Sequence, residues 1–136
     1  MKPLLIRYML LLLLAQPWLL SCSAQPNEKL KPMLSEQEKE EIKQRLLSKF
    51  NLQKIILFGS QARGTSDNKS DVDLLIISEL NEDRFNLMDR MRVCLMQLNY
   101  AFDVIILTEN EFERDKKYPG TVARYATKEG IVLYEQ

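Results

Sequence analysis

Residues 58–77 read FGSQARGTSDNKSDVDLLII, and the fold turns on how this stretch is divided. The run QKIILFG (53–59) is apolar, rich in β-branched residues and closed by glycine, the pattern of a buried strand. Gly59 permits a sharp turn that brings backbone N–H groups close to a ligand. Ser60 is expected to cap a short helix over Gln61-Ala62-Arg63, and the free N–H groups at such a helix start attract phosphate oxygens. The chain then re-enters a sheet at DVDLLII, a second strand over about 71–78. Strand alternation puts Asp71 and Asp73 on one face and turns Val72 into the core. Two carboxylates side by side repel unless a cation sits between them. Such hard oxygen ligands suit Mg²⁺, which takes one or two carboxylates together with substrate phosphates. A phosphate cradle and a metal seat in one short segment point to a nucleoside triphosphate site.

Working outward, Ser35 with Glu38 three residues later is a capping box, and Ile42, Leu46, Leu47 and Phe50 continue it as a helix with one apolar stripe. Between the strands, GTSDNKS is polar and turn-rich, with Lys69 expected to be solvated. A second long helix is expected from about Asp83 to Leu98, with Phe85, Met88, Met91, Leu95 and Leu98 near its inner face. Met88, Met91 and Met96 on that helix read as core rather than as a ligand site, and Cys94 as a small buried residue. AFDVIIL supplies a third strand over 102–107, and Thr108 with Glu111 opens a helix over ENEFERDKK. Pro119-Gly120 breaks it. TVARYATKEG is expected to be a short helix ended by Gly130, and IVLYE a last strand. The order α-β-turn-β-α-β-α-α-β predicts an α/β (α+β) fold, a small mixed sheet with helices packed against it.

The 136 residues permit one domain, and their net charge of zero offers no basic stripe, so a nucleic-acid template is not expected. There is no histidine, which excludes histidine acid–base and zinc chemistry. Two cysteines, Cys22 and Cys94, are too few and too separated for a disulfide framework.

Residues 1–22, MKPLLIRYMLLLLLAQPWLLSC, resemble a signal peptide whose Leu19-Leu20-Ser21-Cys22 ending is similar to a bacterial lipobox. Residues 23–32 read as a linker. Two readings follow: translation starting at Met33, giving a cytoplasmic domain over 33–136, or a lipoprotein anchored to a membrane through Cys22. Nucleotide supply favours the first.

Gly59-Ser60, ten residues, Asp71-Val72-Asp73 and a later strand carrying Asp103 resemble the pattern of the DNA polymerase beta-like nucleotidyltransferase superfamily, and most nearly its minimal nucleotidyltransferase (MNT) family. Ala62-Arg63-Gly64 after Gly-Ser adds to the likeness, which covers roughly residues 33–136. The resemblance implies transfer of an NMP unit, AMP from ATP above all, to an acceptor hydroxyl with release of pyrophosphate. It implies two Mg²⁺ ions, with Asp71 and Asp73 bridging both and Asp103 holding the catalytic ion and helping to deprotonate the acceptor. Gly59 and Ser60 would hold the β- and γ-phosphates, and Arg63 either contacts phosphates or forms a surface ion pair. It further implies an acceptor wall from another chain, either a helical HEPN-type toxin partner or a second copy.

Taken alone, Asp-x-Asp also fits a solvated strand face, and Asp103 a turn residue. Two other functions stay open: a catalytically silent module that neutralises a partner by contact, and a small-molecule transferase of the aminoglycoside-modifying kind.

Overall fold

The computed structural model describes residues 34–67 and 70–136. The segment 1–22 with Cys22, the linker 23–32, Met33 and Lys69 lie outside the described residues. Helix α1 (Glu36–Leu47) opens on the expected box. Ser35 Oγ accepts from the Glu38 N–H at 3.2 Å, and Glu38 Oε2 accepts from the Ser35 N–H at 2.9 Å. Strand β1 (Lys54–Phe58) runs into the short helix α2 (Gly59–Arg63), and β2 (Val72–Ile77) returns beside β1. Helix α3 (Arg84–Leu95) crosses to β3 (Phe102–Leu107). Helices α4 (Glu109–Asp115) and α5 (Val122–Glu129) lead to β4 (Ile131–Glu135).

The four strands lie in the order β3-β2-β1-β4. β1 is antiparallel to both β2 and β4, whereas β2 and β3 are parallel. The sheet is therefore mixed, as the element order predicts. A parallel pair needs a long crossover, and α3 provides it.

Helices cover both faces, which is why consecutive residues of β1 and β2 are apolar rather than alternating. Ile55, Leu57, Leu74, Ile76, Val104 and Ile106 pack on one face against Ile42 and Leu46 of α1 and Leu87, Met91 and Leu95 of α3. Ile56, Leu75 and Ile77 pack on the other face against Phe112 of α4 and Ala123 and Ala126 of α5. Each leucine- or isoleucine-sized side chain buried this way contributes about 1.5–3 kcal/mol.

Two local expectations are corrected, the buried stripe of α3 and the ends of two helices. Phe85 is 72% exposed and Met96 73% exposed, so neither joins the core. Leu87, Met91, Cys94 and Leu95 are the buried residues of α3, and Phe85, two positions before Leu87, falls about 200° around the helix from it. The helix also stops at Leu95 instead of Leu98, and α4 at Asp115 instead of Lys117. Gly130 ends α5 as expected, in an extended conformation. Glycine is needed there for room: a β-carbon would stand 2.3 Å from the Ala126 carbonyl oxygen and 2.5 Å from Cγ2 of Ile56.

The capping box of α4 also forms. Glu111 Oε2 accepts from the Thr108 N–H at 2.9 Å, and the same carboxylate takes Arg84 Nη2 at 2.7 and 2.8 Å. The start of α3 is thereby tied to the start of α4. Among the described residues no helix is long and apolar enough to cross a membrane.

Candidate active site

The antiparallel register sets Phe58 opposite Asp73, so the turn that begins at Gly59 passes directly over the Asp73 side chain. Gly59 has φ +71°, the left-handed region that favours glycine. A β-carbon at this position would lie 2.1 Å from Oδ2 and 2.9 Å from Cγ of Asp73. Two independent constraints thus demand glycine here, one of backbone conformation and one of space. The Gly-Ser turn and the Asp-x-Asp strand are parts of one packed unit.

The structure corrects the role of Ser60. Helix α2 starts two residues earlier than expected, with Phe58 at the capping position and no side chain capping it. Ser60 sits inside the first turn, because the positive φ of Gly59 already pivots the chain into the helix. The helix is held from below by Gln61, which is 3% exposed and whose Oε1 accepts from the Leu34 N–H at 3.1 Å.

Asp73 and Asp103 are partners in the parallel register of β2 and β3. In-register residues on neighbouring strands project from the same face, with the strands about 4.8 Å apart. That face is the one packed by α4 and α5, since Leu75, Ile77, Ile105 and Leu107 share its parity. Asp71 lies just before β2, exposed, and Val72 is wholly buried, as alternation predicts. Burial pushes the Asp73 carboxyl above its usual range, and the charges of Asp103 and Asp71 push it further, while Arg63 opposes them. The three aspartates therefore lie at one end of the sheet, and Asp73 is the least solvated of them.

Two arginines flank the group. Arg63 Nη1 lies 3.2 Å from Oε2 of Glu129 on α5, the surface ion pair that its sequence context allows. Arg92, on the far-face helix α3, reaches past the edge strand to bring Nη2 within 3.5 Å of Asp103 Oδ1, while its Nη1 lies 3.0 Å from Asp89 Oδ1.

Among the described residues no three acidic, cysteine or histidine side chains form a ready-made metal cage. The donor set nevertheless fits Mg²⁺, which binds through one or two carboxylates and completes its shell with water and substrate phosphates. A cavity of about 290 Å³ lined by Lys49, Gln53, Ser78, Glu82 and Arg90 takes no part in this. It lies at the opposite end of the sheet, where Lys54 pairs with Ile77.

Gln61 and Arg92 escape the sequence reading. A glutamine after Gly-Ser carries no periodic signal, and Arg92 meets Asp103 only through the tertiary packing of α3 on β3. No pattern local to either residue announces the contact.

The profile of the family described as "Polymerase beta, Nucleotidyltransferase" matches residues 40–136. The chain belongs to that family. It is a nucleotidyltransferase, and the minimal branch expected from the motif is supported. A putative protein adenylyltransferase of Methanocaldococcus jannaschii is 35% identical over 83 residues, 61% of this chain and 79% of the relative. Among solved structures, a mutant of the toxin–antitoxin MntA–HpeT superposes with a TM-score of 0.53 at 20% identity, covering 72% of this chain and 73% of that one. A toxin–antitoxin crystallised with AMP-PNP gives 0.52 at 22% identity, with the same coverage. At these identities the two structures attest the nucleotidyltransferase fold alone.

Proposed function

We propose that the chain transfers AMP from ATP to a hydroxyl of a protein acceptor, with Mg²⁺ as its metal. The observation that carries the reading is the packing of Gly59 against Asp73 while Asp73 stands in register with Asp103. Backbone amides and two carboxylates from three separate elements meet at one end of the sheet. The 35% identical relative, named as an adenylyltransferase of proteins, supports the base and the acceptor class.

In this reading Asp71, Asp73 and Asp103 hold the metal, and Gly59 and Ser60 receive the β- and γ-phosphates. Divalent cations there would neutralise the attacking and leaving oxygens of an in-line displacement. Asp103 takes the proton of the acceptor O–H as its oxygen bonds to the α-phosphorus. The bond from that phosphorus to the β-phosphate bridging oxygen breaks, and pyrophosphate departs. Arg63 is close enough to oppose the charge of Asp73 and is placed to exchange Glu129 for a phosphate.

The acceptor wall belongs to another chain. A helical HEPN-type toxin is the partner we favour over a second copy, because the fold is shared with proteins crystallised as toxin–antitoxin pairs. We assign the catalytic domain to residues 33–136 and, because ATP is the donor, the reaction to the cytoplasm. A native peptide lipid-modified at Cys22 would overturn that location.

The test is incubation of the protein with α-labelled ATP, Mg²⁺ and a purified HEPN-type protein that binds it. Label should appear on the partner with the wild type and vanish with Asp71→Asn/Asp73→Asn. An unlabelled partner that nevertheless binds would overturn the transfer reading. Full neutralisation of the partner by the double variant would instead establish the contact-only module.

A further inference from the structure

We propose that Arg92 is a positioning residue that stands in for the divalent cation at Asp103, withdrawing to Asp89 when the metal arrives. The inference rests on the metal-site reading above and concerns how that site is kept ready.

Asp103 is a partly exposed carboxylate that stands in register with Asp73 on the neighbouring strand. On the Asp103 side of the pair, the Arg92 guanidinium supplies an opposite charge. Arg92 has the geometry for exchange because its fork spans two carboxylates, with Nη1 at 3.0 Å from Asp89 and Nη2 at 3.5 Å from Asp103. The Asp89 contact is a hydrogen bond, whereas the Asp103 contact is a longer ion pair beyond ordinary hydrogen-bond length. The guanidinium is thus anchored on the outer acid and leans on the inner one. Asp89 and Arg92 share one helical turn of α3, so the anchor moves with the arginine's own element. Releasing Asp103 requires a side-chain rotation and no backbone change. Arginine suits the task because its planar fork engages two carboxylates at once, which a lysine ammonium does less well.

The test uses the full chain without nucleotide and reads two properties. Mn²⁺ affinity is measured by calorimetry in 0.5 M NaCl, where diffuse surface fields are screened and direct contacts persist. Arg92→Gln should bind Mn²⁺ about threefold to fivefold more tightly than wild type, the scale of one partly exposed ion pair. Melting temperature is then compared in EDTA and in saturating Mn²⁺. Arg92→Gln should melt below wild type in EDTA and recover in Mn²⁺, because the metal replaces the missing charge. Arg92→Lys should fall between the two proteins in both measurements.

An unchanged Mn²⁺ affinity, or a melting deficit of equal size in EDTA and Mn²⁺, would overturn the role of Arg92 while leaving the metal site standing. Failure of the metal-site reading looks different: wild type would bind no Mn²⁺, or Asp73→Asn and Asp103→Asn would bind it as wild type does.

Discussion

The backbone of Gly59 lies so close to the carboxylate of Asp73 that a single methyl group at position 59 would stand 2.1 Å from Oδ2. Gly59→Ala therefore combines a left-handed backbone strain with displacement of a site carboxylate. The strain costs about 1–2 kcal/mol. A shift of about 1 Å in a reacting group costs about 100-fold in rate. Urea denaturation and AMP-transfer kinetics on the same preparation should show both losses. Retained activity would separate Asp73 from the chemistry.

Asp73→Asn should abolish transfer yet stabilise the fold at neutral pH. The folded Asp73 carboxyl titrates above its unfolded value, so the native state holds its proton more tightly. Its ionisation therefore lowers stability as pH rises from the unfolded value through the folded one, and the penalty is full above both. The asparagine variant should melt above wild type at pH 7 in EDTA. The advantage should disappear below the ordinary aspartate value of 3.8. A melting temperature lower than wild type at pH 7 would contradict the assignment of Asp73 as a strained charge.

Glu111 shows the opposite sign. Arg84, followed by the Thr108 backbone N–H, holds its carboxyl below the ordinary 4.5. The stability it contributes is present above the unfolded value and is lost as pH falls through the folded one. Glu111→Gln should cost about 1 kcal/mol at pH 7, the scale of a lost cap contact and ion pair. The difference from wild type should shrink toward pH 3, which denaturation curves at the two pH values will show.

The rotation of α3 is tested by a pair of truncations. Leu87→Ala should cost about 2–4 kcal/mol, whereas Phe85→Ala, on the outer face, should stay within about 0.5 kcal/mol of wild type. The larger ring giving the smaller effect would confirm which stripe is buried.

Most of the architecture is legible in the sequence because its signals are local. The two capping boxes at Ser35 and Thr108 form as written. The apolar runs ending at Phe58 and starting at Val72 become neighbouring strands, and FDVIIL is a strand with the bounds read from the sequence. What the sequence hides depends on packing at a distance. The residues near Phe85 offer more than one apolar stripe, and only contact with β1, β2 and β3 chooses Leu87, Met91 and Leu95. Ser60 looks like a cap because serine so often is one, but the φ of Gly59 moves the helix start ahead of it. Spacing and strand context single out Asp71, Asp73 and Asp103, and the register places Asp73 beside Asp103. Gln61 and Arg92 were not readable, because each acts on a residue at least 11 positions away through the tertiary structure.

The parallel pairing of β2 with β3 carries a last consequence, for synthesis on the ribosome. Asp73 emerges early, but its companion at 103 follows only after a whole crossover helix, and parallel pairing is slow to nucleate. A nascent chain stalled before β3 would hold the Gly-Ser turn and the first two aspartates without the third. The carboxylate pair formed by Asp73 and Asp103 is therefore assembled only after α3 has been made.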